Sequence, residues 1–183
     1  ALFGLDSAGI DIISEDISRP WHENGAIINE VNFSSLLGGA RTNARTRGYH
    51  SEFIGRFFHN QGRLPIEVFV GMDDAMGAGR NRQQQLVADG IQCYVSSHLA
   101  VFKPDGSSLT LTGTGLFELT LQLIADKQLE ALILIVQTDE FLHTGCPVDG
   151  LGTIHVMSSQ VTEWADAKQT VSETTHRRLV ALL

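Results

Sequence analysis

Six consecutive aliphatic residues, Ala131-Leu132-Ile133-Leu134-Ile135-Val136, constrain this chain more than any other feature. A strand with water on one side alternates apolar and polar residues, whereas an unbroken run belongs to a strand covered on both faces, as in a parallel sheet. Before it, Leu116, Leu119, Leu123 and Ile124 recur on one side of a helical wheel, broadened by Phe117 and Leu121, and predict an amphipathic helix. Ile66 to Val70 is a compact β run ending at Gly71, with a helical stretch over about Asn81 to Asp89 after a glycine-rich turn. Further strands are expected at Gln92 to Ser96 and Thr153 to Met157. A hairpin is expected over Ala100 to Leu111, and a helical tail from Glu163. Strand and helix alternate as in a wound α/β sheet, so residues 62–183 are expected to form a small, mainly parallel, Rossmann-like sheet.

Residues 1–60 follow a different rhythm. Two β-like runs, Ala8 to Ser14 and Ala26 to Phe33, flank a turn-rich segment holding Arg19-Pro20 and Glu23-Asn24-Gly25. They predict two paired strands joined by a long loop. Phe53, Ile54, Phe57 and Phe58 then fall at helical spacing and predict a short helix ending near Asn60. Gln61-Gly62-Arg63 reads as a linker.

Length and charge exclude several classes. A chain of 183 residues suits one compact domain with an appendage, or two very small domains. Thirteen Lys and Arg stand against 21 Asp and Glu, a net charge of −8. No basic cluster is longer than a pair such as that in Arg80-Asn81-Arg82, which argues against a nucleic-acid partner. No run approaches the about 20 apolar residues of a membrane helix, so no membrane partner is expected. No basic-then-apolar leader opens the sequence, so no secretory signal is expected. Two cysteines, Cys93 and Cys146, make no disulfide framework and fit reduced cytoplasmic thiols.

Three groups of residues could carry chemistry. Glu30 and Asn32 alternate onto one face of the second strand, with Val31 expected to be buried opposite, and Asp11 faces them from the neighbouring strand. Two carboxylates and an amide oxygen suit magnesium, which takes few protein ligands and completes its shell with water and phosphates; they equally suit ordinary polar strand positions. The second group, Gly71, Gly77, Gly79 and Arg80, lies between a strand and a helix, where helix N–H groups can hold a phosphate. The phosphate-loop pattern fails there. Counted from Gly71 it meets Met76 and Gly77, and counted from Gly77 it meets Arg82 and Gln83, where glycine and lysine are required. The dinucleotide pattern fails at Arg82, and Asp73 and Asp74 would repel a polyphosphate. A tight glycine turn is the competing reading, with Arg80 as a holder of a small anion. In the third group His143, Cys146 and Asp149 hint at zinc or a nucleophilic thiol, but a zinc site needs more ligands than this segment offers. The remaining histidines are expected to be exposed or locally hydrogen-bonded.

The first 60 residues resemble the end of the ATP-grasp domain of the cyanophycin synthetase family. The resemblance rests on Ala8-Gly9-Ile10-Asp11-Ile12-Ile13, Asp16-Ile17-Ser18-Arg19-Pro20, Gly25-Ala26-Ile27-Ile28 and Glu30-Val31-Asn32. It implies that Asp11, Glu30 and Asn32 are magnesium ligands serving ATP. The pattern departs at Phe33-Ser34-Ser35-Leu36-Leu37-Gly38-Gly39, and the lysines and adenine pocket of an ATP-grasp fold lie upstream of the matching segment. Arg63-Leu64-Pro65-Ile66, and more weakly Leu129 to Met157, resemble the Mur ligase-like central domain of the same family. There Gln137 stands near the expected metal-binding glutamate, and Asp139-Glu140-Phe141-Leu142-His143 replaces an Arg-Gly-Gly stretch. The resemblance therefore implies a fragment of an ATP-dependent peptide ligase, with magnesium and ATP as the family's cofactors and a degenerate nucleotide loop that leaves this piece inactive alone. The alternative is a non-catalytic assembly or oligomerisation module derived from a Mur-type domain. An upstream ATP-grasp domain or further copies of the chain would be its partners, in the cytoplasm.

Overall fold

The computed structural model describes residues 8–32, 52, 55, 63–72 and 74–183. The helix expected over Phe53 to Phe58, the loop 33–39, the linker at Gln61-Gly62 and Asp73 lie outside the described residues. The chain divides into two compact units, Ala1–Gln61 and Gly62–Leu183.

In the first unit β1 (Gly9–Ile13) and β2 (Ile27–Asn32) form an antiparallel ribbon, joined by a turn-rich loop with one 3-10 turn, Trp21–Glu23. Asn24 organises that loop: its amide donates to Ser14 Oγ at 2.9 Å and to the Asp16 carbonyl, and its Oδ1 accepts from the Ala26 N–H. Asp16 closes a local turn by accepting from the N–H and hydroxyl of Ser18, which holds its carboxyl below the ordinary carboxylate value.

The register passes from Asp11↔Glu30 to Ile12↔Ile28, so Asn29 is an extra residue bulged out of β2. Cross-strand partners share a side of the ribbon and β1 alternates without interruption. Ile10, Ile12, Ile28 and Val31 therefore lie on one side, and Asp11, Glu30 and Asn32 on the other with Ile13 and Ile27. The expected burial of Val31 does not occur. The aliphatic side is 48% to 55% exposed, because a two-stranded ribbon supplies no second layer of its own.

The second unit is built on a six-stranded sheet. Its strands are β3 (Ile66–Val70), β4 (Cys93–Ser97), β5 (Val101–Phe102), β6 (Ser108–Leu109), β7 (Ala131–Val136) and β8 (Ile154–Val156), in the spatial order β6-β5-β4-β7-β3-β8. β4, β7, β3 and β8 are parallel; β5 and β6 are an antiparallel hairpin added at one edge. The aliphatic run occupies β7, between β3 and β4, where all six of its side chains are buried.

Alternation sends Leu132, Leu134 and Val136 to one face, with Val68, Val70 and Tyr94. That face is covered by α2 (Leu116–Leu123), α3 (Glu140–Thr144) and α4 (Glu173–Leu182), through Leu119, Leu123, Phe141 and Leu179. Ile133 and Ile135 go to the other face, against Ala75, Ala78 and Leu86 of α1 (Ala75–Ala88). Helices on both faces explain the absence of polar residues from β7.

α1 starts at Ala75 rather than near Asn81. Its first six residues include Gly77 and Gly79, which disfavour helix locally, but the sheet claims them: a Cβ at Gly79 would press into Ile135 and lie 3.2 Å from Ile133 Cγ2. The tail also differs from expectation. Residues 163–172 form turns around the Thr162↔Thr170 bridge, and only α4 is helical, started by Ser172, whose Oγ accepts the Thr175 N–H at 3.2 Å.

Candidate functional site

In an open parallel sheet, ligands seat at the carboxyl ends of the strands. In the second unit that edge carries Gly71 and Met72 after β3, His98 after β4, Gln137 to Glu140 after β7, and Met157 and Ser158 after β8. The glycine turn is engaged by the chain itself. The Gly71 N–H donates to the Val136 carbonyl at 3.0 Å, and the Met72 N–H to the Gln160 carbonyl at 2.8 Å. Gly71 has φ +131°, and a Cβ there would lie 2.8 Å from Ser158 N, so the 157–160 segment fits only against glycine. Asp74 follows at φ 57° as the N-cap of α1 without a side-chain capping bond.

The four residues expected to hold a phosphate do not converge. Gly71 lies beneath Ser158, Gly79 packs on the sheet, and Gly77 faces open space in the first turn of α1. Arg80 points to the β5–β6 hairpin, where its guanidinium stacks 4.2 Å above the Phe102 ring and donates to the Gly106 carbonyl at 3.4 Å. Beside it, the Gln83 amide nitrogen reaches the carbonyls of Cys93, Phe102 and Lys103 at 2.9, 3.3 and 3.0 Å, fastening the same hairpin to α1.

A buried carboxylate that the local sequence does not announce sits on the opposite face. Glu140, 3% exposed, accepts the Leu116 N–H at 2.7 Å and the Phe117 N–H at 2.9 Å. From the first residue of α3 it thereby caps α2, a favourable place for negative charge. The residue that would normally cap α2 is Gly115, and any Cβ there would meet the carboxylate, its carbon at 2.7 Å. Burial pushes His98 below its ordinary value, with the charge of Glu140 opposing.

Next to Glu140, Asp139 accepts the Trp164 N–H at 2.7 Å and lies 3.3 Å from His143 Nε2. His143 is thus turned toward Asp139 and the Trp164 ring, its centroid 6.0 Å away. Cys93 is buried and its thiol is pushed up to about 12, chiefly by burial, so it carries no thiolate at neutral pH. His98 Nδ1 and His176 Nε2 are buried without a hydrogen-bond partner among the described residues, unlike the exposed or locally hydrogen-bonded histidines expected.

On the α1 face, Glu67 forms a forked pair with Arg82 at 2.7 to 3.0 Å. His155, stacked on Phe69 at 4.4 Å, reaches the same carboxylate at 3.6 Å. The Arg82 guanidinium holds the Glu67 carboxyl below its ordinary value, outweighing partial burial, and His155 adds to it.

In the first unit, Asp11 and Glu30 are direct cross-strand partners, and Asn32 lies two residues along on the same side. All three are exposed. Two carboxylates and an amide oxygen on adjoining strand positions fit a hard, water-completed cation such as magnesium. Among the described residues no group of three or more His, Cys, Asp or Glu side chains is placed to hold a metal, so Asn32 would have to complete this set. No helix among the described residues is long and apolar enough to cross a membrane.

The local sequence signals neither Glu140 nor the Glu67–Arg82 pair. The one hint is a glycine at the start of an amphipathic helix, which leaves free N–H groups in need of a distant acceptor. Neither the family models nor the curated proteins include a match to this chain.

Proposed function

We propose that this chain is a catalytically silent piece of a cyanophycin synthetase-like, ATP-dependent peptide ligase, its 62–183 portion a Rossmann-like, Mur-derived domain that contributes architecture rather than nucleotide chemistry. One observation carries the reading: the N–H groups of Gly71 and Met72 already donate to Val136 and Gln160. A nucleotide loop must offer such groups to phosphate oxygens and add a cation at the transferring group. Here Asp74 stands at the start of α1, and Arg80, the nearest cation in sequence, is turned to Phe102.

The ribbon is the part that suits the parent chemistry. Asp11, Glu30 and Asn32 would hold magnesium, which when bound neutralises phosphate oxygens. The exposed carboxylates draw the cation, and the neutral Asn32 adds an oxygen without further negative charge near a phosphate. The nucleotide itself would sit on an upstream ATP-grasp portion, in the cytoplasm, where Cys93 and Cys146 stay reduced.

Calorimetry tests this directly. Magnesium–ATP is expected to give no binding heat with this chain at millimolar concentration. Micromolar binding abolished by Glu30→Gln or Asn32→Leu would overturn the proposal and make the chain a nucleotide site in its own right. The exposed aliphatic side of the ribbon favours a second reading, an assembly module that joins copies of the chain or a ligase domain. Sedimentation equilibrium separates the two, since the module predicts self-association weakened by Ile12→Asp, and a passive fragment predicts a monomer.

A further inference from the structure

We draw no further inference here: the strongest candidate, the aliphatic side of the β1–β2 ribbon formed by Ile10, Ile12, Ile28 and Val31, is an unpartnered apolar face, and nothing in the structure shows what covers it.

Discussion

Gly77 and Gly79 stand two positions apart in one helix and face opposite demands. A methyl at Gly77 meets nothing within 4 Å, so Gly77→Ala should stabilise the second unit by about 0.5–1 kcal/mol, the helix-propensity difference. A methyl at Gly79 enters the space of Ile133 and Ile135, both fully buried. Overpacking of that kind costs about 1–3 kcal/mol, more than helix propensity returns, so Gly79→Ala should destabilise. Urea midpoints of the two variants must therefore move in opposite directions; a shift of the same sign would refute the packing role of Gly79. Neither role was legible from the run Gly71 to Arg80, where glycine spacing suggests phosphate binding as readily as close packing. Only the position of Ile135 across the helix–sheet contact distinguishes them.

Elements in this fold are fastened to one another by buried or half-buried polar groups, and these set its response to mutation and pH. Glu140 joins the start of α3 to the start of α2. Glu140→Gln keeps one acceptor but turns an amide N–H toward the second backbone donor, and should cost about 2 kcal/mol in thermal or urea unfolding. Two part-buried groups contribute to the acid limb beside the exposed Asp16 and Asp105 carboxyls, which hydrogen bonds from Ser18 and Ser107 hold below their ordinary value. His98 is held below its ordinary value of 6.5, so the unfolded chain takes up the proton first. Its contribution is full above that value and is lost as pH falls through and below it. Glu67 is likewise lowered, from an ordinary 4.5, so its pairing with Arg82 contributes above that value and fades in more acid solution. Stability measured from pH 8 to pH 3 should fall in two steps. His98→Asn should flatten the upper step alone and Glu67→Gln the lower alone; a profile unchanged by either variant would remove that residue from the account. Sequence patterning located β3 and β7 at their observed bounds because compact, apolar-rich β runs need no context, even with Glu67 inside β3. It missed α3 and the Glu140 cap because a capping contact 24 residues distant leaves no local pattern.

At the scale of the whole chain, the two units differ in what supports them. The sheet of the second unit has helices on both faces, whereas the ribbon leaves its aliphatic side half exposed. Leu134→Ala should cost about 2–5 kcal/mol, as large-to-small changes in a sealed core do. Ile12→Ala should cost about 0.5 kcal/mol or less. The two tryptophans, Trp21 and Trp164, fall one in each unit, so their fluorescence in single Trp→Phe backgrounds reads each unit separately. Leu134→Ala should shift the transition reported by Trp164. The α/β class of the second unit was readable from the alternation of strand and helix runs alone. The exposure of Val31 was not, because alternation tells which side a residue takes and says nothing about whether a second layer lies over it.

The single supernumerary residue in β2 has a consequence for chemistry as well as shape. Asn29 works as a phase shift, bringing Ile28 into line with Ile10 and Ile12 while Glu30 and Asn32 stay in step with Asp11. Regular pairing without the bulge would instead set Asn29 opposite Ile12 and Ile28 opposite Ile13, on the side of Asp11 and Glu30. The oxygen ligands would then share their surface with a differently placed isoleucine, and the greasy side would lose its continuity.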